Sequence, residues 1–306
     1  MTDLSRITRD VALASSVLDN GGIIGMPTET VYGLAALARN ERAVARVFTT
    51  KGRPTSHPLI VHLSPEEKIE QWGVFNESAI AIATAAWPGP ITLLVPRTSI
   101  VPDWVTGGRD TVAIRIPSHL MAIDLLSKVS DAIVAPSANR FGHVSPTRAE
   151  HVLHDLGDDV DLILDGGPCE IGLESTIVDC TSEALQILRP GKITAVRIAE
   201  ITGLTLANTD GPSRAPGMMI SHYAPRAHVE LCTSLDEARV KGTALKEKGI
   251  AYTIIHHDDL TKYALSVYDD LRAADVNQVT VVLAVLPVDD GLGIAIRDRL
   301  SKAAAH

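Results

Sequence analysis

Two short segments pair side chains that could grip an anion. Lys51 and Arg53 flank Gly52, and Ser137 and Asn139 flank Ala138. In an extended chain, residues two apart point to the same side. Lys51 and Arg53 then aim at one target, and the glycine lets the backbone approach it. A lysine point charge beside an arginine fork suits a polyphosphate. Ser137 and Asn139 repeat the geometry with neutral groups. Plainer roles fit the same residues: cations at a helix end favour its dipole, and Ser and Asn are turn formers. Arg115 interrupts an apolar run from Val112 to Ile116. A cation there needs a partner, either a structural carboxylate or that of a substrate. His62 sits in a second apolar run, Leu59 to Leu63, where a hydrogen-bonded core histidine is the ordinary reading. Two more polar segments, Pro27 to Leu34 and Gly172 to Thr176, adjoin apolar strands.

Other chemistries find little support. No Walker A sequence occurs, and no Ser or Cys stands in a nucleophile elbow. His151 and His154 lie three apart on a helix, without a third metal ligand near in sequence. Covalent catalysis therefore has no evident agent.

The elements that must position these residues can be read from periodicity and punctuation. Residues 8–20 are predicted as a helix ending at Gly21-Gly22, followed by a buried strand over Ile23 to Met26. A helix over 41–50 precedes the Lys-Gly-Arg segment. Strands are predicted at Leu59 to Leu63, Ile91 to Val95, Thr111 to Ile116, Ala132 to Ala135, Leu162 to Leu164, Thr176 to Val178 and Gln186 to Leu188. Ser64-Pro65-Glu66-Glu67 and Thr147-Arg148-Ala149-Glu150 have the form of capping boxes that open helices. Ser145 competes with Thr147 as a cap. Strands outnumber helices and lie too close together for helical crossovers, so the sheet is predicted to be mixed.

Beyond residue 228 the pattern turns regular. Strands at His228 to Cys232, Ala251 to Ile255 and Val279 to Val285 alternate with helices from Ser234, over 261–275 and over 291–304. Such alternation predicts a small parallel α/β domain of Rossmann type. The glycine fingerprint for dinucleotides is missing: Thr233-Ser234-Leu235-Asp236 follows the first strand, and Gly291-Leu292-Gly293 alone is a weak signal. The predicted division is a catalytic domain over 1–208, a linker or lid over 209–228, and a C-terminal domain over 229–306. The linker holds Pro212, Pro216, Pro225 and two glycines, yet keeps Met218, Met219, Ile220 and Tyr223. Apolar groups of that kind favour a surface over water, so the linker reads as a lid.

Bulk properties narrow the class. The chain has 306 residues, 45% hydrophobic and 21% charged, with a formal net charge of -9. A broad basic footprint is missing, which argues against a protein whose main task is to hold RNA. The most apolar stretch, Ala79 to Val95, is broken by Trp87-Pro88-Gly89-Pro90 and does not read as a membrane span. Three cysteines, Cys169, Cys180 and Cys232, with none at metal-ligand spacing, fit a reduced cytoplasmic compartment. Charged residues interrupt the first twenty positions, so no signal peptide is predicted.

Taken in order, the segments resemble the threonylcarbamoyl-AMP synthase family in its long two-domain form, whose catalytic domain is of the YrdC type. The resemblance is carried by PTETVYGL at 27–34, KGRP at 51–54, HPLIVH at 57–62, WPGPITL at 87–93, TVAIRIP at 111–117, APSAN at 135–139, GLESTIVD at 172–179, LRPG at 188–191 and PGMMISHYAP at 216–225. GLGIAIRDRL at 291–300 resembles the extra domain of the long form. Two departures stand out: His57 replaces a frequent asparagine, and Met219-Ile220-Ser221 replaces frequent basic residues.

The resemblance implies a twisted α/β catalytic domain with a deep basic concavity. L-threonine would be held by Thr30, His62, Arg115, the backbone at Ala135, and Ser175. ATP would be held by Lys51, Arg53, His57, Thr111, Ser137, Asn139, Ser145, Arg189 and Tyr223. Lys51 and Arg53 would be catalytic, stabilising charge on the phosphates. The implied substrates are L-threonine, bicarbonate and ATP, and the product threonylcarbamoyl-AMP would pass to a downstream transferase complex that modifies tRNA. Magnesium would ride on the phosphates, with no protein metal cage and no organic cofactor. A weak RNA contact is compatible with that role. Two rivals remain open: a double-stranded RNA binder using the same concavity, and a carbamoyltransferase with another acceptor.

Overall fold

A computed structural model describes residues 4–206 and 223–305. Among the described residues, ten strands form one mixed sheet. In chain order they are β1 (Ile7–Thr8), β2 (Ile24–Met26), β3 (Gly33–Leu37), β4 (Ile60–His62), β5 (Ile91–Pro96), β6 (Thr111–Arg115), β7 (Ile133–Val134), β8 (Leu162–Leu164), β9 (Thr176–Asp179) and β10 (Gln186–Arg189). Across the sheet the order is β1-β8-β2-β3-β7-β4-β6-β5-β9-β10. Parallel pairs (β4 with β6, β5 with β9) alternate with antiparallel ones (β5 with β6, β9 with β10). The mixed sheet was therefore legible in the spacing of the strands.

The helices around this sheet are α1 (Val11–Asp19), α2 (Glu41–Lys51), α3 (Glu77–Ala86), α4 (Asp103–Thr106), α5 (Leu120–Lys128), α6 (Ala149–Leu156) and α7 (Ala195–Thr202). Strand alternation sorts the apolar side chains by face. On one face Val44 and Val47 of α2, Ile82 of α3 and Val152 of α6 join Val61, Leu93, Val112, Ile114 and Val178 in the largest core. On the other face α1 and α5 cover only one half of the sheet, through Ala14, Leu18 and Leu125 against Ile24, Met26, Ala35 and Ile133. In the other half of that face, Ile60, Leu94, Ala113, Ile177 and Leu188 form a small cluster supplied by strands alone. His62 and Arg115 project from this strand-only half, two residues beyond Ile60 and Ala113.

The smaller sheet has β11 (His228–Cys232), β12 (Tyr252–Ile255) and β13 (Val281–Val285), in the order β11-β13-β12 and wholly parallel. Helix α8 (Leu235–Glu247) packs on one face. Helices α9 (Leu260–Val276) and α10 (Leu292–Ala304) pack on the other. This is the three-layer α/β unit that the alternation predicts. Tyr263, Val267, Leu271 and Ile296 of α9 and α10 share one core with Val31, Val144, Ile171, Leu173 and Tyr223. The second sheet's helices thus continue directly into the first domain. Residues 209–222 of the predicted linker lie outside the described residues.

Both predicted capping boxes fail. Residues 65–67 form a turn, followed by a single 3-10 turn at Ile69–Gln71. Helix α6 does start at Ala149, but its N-cap, Arg148, makes no side-chain capping bond. Thr147 is committed elsewhere: its hydroxyl donates to Asp269 Oδ1 of α9 at 2.5 Å. A contact to the other domain has outcompeted the local cap.

Candidate functional site

The strand-only half of the sheet floors a small open cleft. Nine of the predicted residues line it: Thr30, Arg53, His62, Arg115, Ala135, Ser137, Ser175, Arg189 and Tyr223. They come from eight separate stretches of chain, and the alternation of β4, β6 and β9 turns His62, Arg115 and Ser175 to the same face.

Arg115 ends β6 and is buried. Its Nη1 donates to Thr30 Oγ1 at 2.9 Å, and its Nε donates to the Gly89 carbonyl at 3.3 Å. Its Nη2 lies 2.7 Å from Glu29 Oε1. Burial, the largest single influence, would raise the Glu29 carboxyl, but the Arg115 charge and hydrogen bond together with backbone N–H groups of Glu29 and Ser118 hold it below its usual range. The predicted choice between a structural carboxylate and a substrate carboxylate was thus a false one for this arginine. Glu29 anchors it, and the Arg115 side chain still lines the cavity. Thr28, also on the cavity wall, shares a 2.8 Å hydrogen bond between hydroxyls with Thr30 and donates to the Val31 carbonyl at 2.6 Å.

His62 Nδ1 lies 3.2 Å from the Ile60 carbonyl. A carbonyl can only accept, so this nitrogen carries the proton. Burial, helped by the Arg115 charge, drives the ring's pKa down to about 3. The histidine is therefore neutral at physiological pH.

Ser175 stands at the entrance to β9. Its hydroxyl shares a 2.7 Å bond with Thr92 of β5 and accepts from Arg189 Nη2 at 3.0 Å. Arg189 Nε also donates to the Ser175 carbonyl at 3.0 Å. Arg53 is buried beside it, with Nη2 donating to the Pro58 carbonyl at 3.0 Å and the guanidinium 5.9 Å from the Phe141 ring centre. Its Nε has no hydrogen-bond partner among the described residues. Burial lowers the Arg53 pKa to about 10, which leaves it charged at neutral pH.

Five predicted residues stand off the cavity wall. Lys51 ends α2, and Gly52 caps the helix in the left-handed region at φ 66°. That turn separates Lys51 from Arg53, so the extended geometry assumed from spacing does not hold. Lys51 is buried, and its ammonium donates to the Ser137 carbonyl at 2.5 Å and the Asn139 carbonyl at 2.6 Å. Asn139 Nδ2 in turn donates to the Arg140 and His143 carbonyls, closing its own turn. Lys51 and Asn139 thereby fix the loop that presents Ser137 to the cavity. His57 is half-buried against Phe141, ring centres 5.6 Å apart. Thr111 lies four residues up β6 from Arg115, on the same face. Ser145 donates to Glu174 Oε1 at 2.6 Å.

Glu174 is the residue whose importance sequence reasoning missed. It lines the cavity and is buried, and its other oxygen accepts from Tyr268 and from Arg299 of the C-terminal domain. Its signal lay in GLESTIVD: an acid inside an apolar segment requires a cation from somewhere. Tyr223, predicted from the linker, has φ 66° and stacks on Tyr268 with ring centres 5.6 Å apart.

Three arginines, clustered hydroxyls and a neutral histidine, with buried cysteines as the only thiols, define an enzyme that aligns anionic substrates and stabilises charge. Residues 16–191 match the Sua5/yciO/yrdC family model, whose description reads "Telomere recombination". Residues 192–305 match the model for "Threonylcarbamoyl-AMP synthase, C-terminal domain". The threonylcarbamoyl-AMP synthase of Bacillus subtilis (strain 168) is 37% identical, covering 99% of this chain and 95% of that protein. That of Pyrococcus abyssi is 37% identical, covering 97% and 94%. A solved structure of P. abyssi Sua5 complexed with L-threonine superposes with a TM-score of 0.91 at 36% identity, covering 96% of this chain and 94% of that one. The chain belongs to the threonylcarbamoyl-AMP synthase family, in its two-domain form, and is a transferase of that class. Among the described residues, no helix is long and apolar enough to cross a membrane.

Proposed function

We propose that this cavity joins L-threonine, bicarbonate and ATP into threonylcarbamoyl-AMP and pyrophosphate. The observation that carries the reading is the convergence of Arg53, Arg115 and Arg189 on one cleft beside the hydroxyls of Thr28, Thr30 and Ser175. Arg115, oriented by Glu29 and Thr30, captures the threonine carboxylate. The hydroxyl cluster and neutral His62 read the threonine hydroxyl, with the Ala135 backbone closing that end. The threonine amine and bicarbonate give a carbamate with loss of water. A carbamate oxygen then attacks the α-phosphorus of ATP, the bond from that phosphorus to the bridging oxygen breaks, and pyrophosphate leaves. Such a transfer asks the protein for alignment and charge stabilisation. Arg53 and Arg189 supply it, and Ser137, held by Lys51 and Asn139, supports the phosphates.

Ser145, Thr111, His57 and Tyr223 surround the remaining length of the nucleotide. Magnesium, arriving on the phosphates, would neutralise part of their charge. The carboxylates at this site, Glu29 and Glu174, are each paired with an arginine, which fits an ion held by the nucleotide better than one held by the chain. The product feeds tRNA modification through a downstream transferase complex, in the cytoplasm. Three free, buried cysteines support a reducing compartment.

Binding of labelled ATP, with and without threonine and bicarbonate, tests the assignment. Mutual enhancement among the small molecules is expected. RNA binding indifferent to them would favour the binding module instead.

A further inference from the structure

Glu174 is an awkward residue for a nucleotide site. Among the described residues lining the cavity it is the only carboxylate, and it is buried. A buried anion beside a triphosphate opposes binding unless it is cancelled locally. What cancels it comes from the last helix of the chain. Arg299 of α10 is fully buried, and its Nε donates to Glu174 Oε2 at 2.7 Å. Its Nη2 donates to the Pro190 carbonyl at 3.0 Å, next to Arg189 in sequence. Tyr268 of α9 donates to the same Glu174 oxygen at 2.8 Å, while Ser145 occupies the other at 2.6 Å. The Arg299 guanidinium also lies over the Tyr223 ring, 5.4 Å from its centre. The backbone is built for this approach. Gly172 has φ +79°, and a Cβ there would meet the Ala264 carbonyl oxygen of α9 at 2.5 Å.

We propose that Arg299 is a positioning residue of the nucleotide site: it neutralises Glu174 from the C-terminal domain, so that the charge of Arg189 serves the phosphates and Ser145 stays oriented. The second domain thereby completes an electrostatic environment that the first domain cannot balance alone. The inference rests on the reading that ATP occupies this cavity. Its basis is the cross-domain ion pair. Burial opposes the charge on Glu174, yet Arg299, Arg189 and Ser145 hold its pKa down at about 2.

The test is calorimetric titration of full-length protein with ATP and, separately, with threonine. Arg299→Met is expected to weaken ATP binding by about tenfold or more, as truncating one partner of a buried charge pair does. Threonine affinity is expected to change by less than about threefold, because the effect acts through the nucleotide's charge. Adding Glu174→Gln to Arg299→Met is expected to recover most of the ATP affinity, since the uncompensated charge is then gone. Three results would overturn the proposal: wild-type ATP affinity in Arg299→Met, equal losses for ATP and threonine, or a double variant as impaired as the single. If Arg299→Met fails to fold by circular dichroism, the double variant decides. Restored folding with ATP binding supports the proposal, and failure of either overturns it. Wild-type protein that binds no ATP sinks the functional reading itself, before any variant is compared.

Discussion

Arg53 and Arg115 are both buried cations, but their partners give them different tasks. Arg115 has a fixed counter-charge in Glu29, so it is held in place before substrate arrives. Arg53 meets a carbonyl, an aromatic ring and Arg189, and burial depresses its pKa. An incoming polyanion relieves that cost. Arg53→Ala is therefore expected to lower adenylate formation by about 10² to 10³ while the circular dichroism spectrum is kept. Near-normal turnover in the folded variant would remove Arg53 from the reaction. The hydroxyl cluster carries a second expectation. A site that pairs a substrate hydroxyl rejects the analogue lacking it by about 10⁴, against about 10² for a bare apolar pocket. Threonine should exceed valine in kcat/KM by that larger factor, and comparable values would show that the hydroxyl goes unread. At this scale the sequence was informative about residue type and less so about direction. Arg115 and His62 announced themselves as polar groups inside apolar strands. Lys51 stood out by its pairing with Arg53 across a glycine, but the left-handed turn at Gly52 sends its ammonium to the 137–139 loop, which spacing alone does not reveal.

The elements were legible where period and punctuation agreed. Helix α2 begins at the Asn40 cap, whose side chain accepts from Ala43 N, and stops at Gly52. Strands β5, β6 and β9 are apolar runs bounded by turns. Strand β3 was missed because Gly33–Leu37 carries no alternation; all five residues are buried, and β3 lies in the sheet interior between β2 and β7. Helices α3 and α5 were missed for a related reason: their apolar residues are mostly alanine, leucine and isoleucine, without a sharp polar stripe. The capping box at 147–150 misled because Thr147 bonds to Asp269, a residue 122 positions away. Gly172 offers an element-scale test. Alanine there is strained at φ +79° and crowds the backbone of α9. Gly172→Ala is expected to cost about 1–3 kcal/mol in denaturant unfolding. An unchanged midpoint would mean that α9 does not depend on that close approach.

For the molecule as a whole, the two domains share one apolar core and ion pairs that cross between them, among them the part-buried Asp155 with Arg272 and the buried Glu174 with Arg299. No periodicity in either half points to such pairings, which is why the role of the C-terminal domain was illegible from sequence. Burial of titratable groups also sets the response to acid. His62 falls from its ordinary 6.5 to about 3 and His151 to about 4, both mainly through desolvation. Between those values and 6.5 the unfolded chain binds protons that the folded one refuses, so stability is present above pH 6.5 and lost as pH falls. Glu174, held at about 2 against an ordinary 4.5, extends the loss to lower pH. The melting temperature is expected to decline steadily from about pH 6.5 downward, and a flat profile to pH 4 would contradict the burial of these histidines. The central claim is chemical, and product mass tests it most directly. Protein incubated with ATP, threonine and ¹³C-bicarbonate is expected to yield threonylcarbamoyl-AMP carrying one heavy carbon, together with pyrophosphate. ATP consumed without a threonine-containing adenylate, or an adenylate that carries no label, would contradict it.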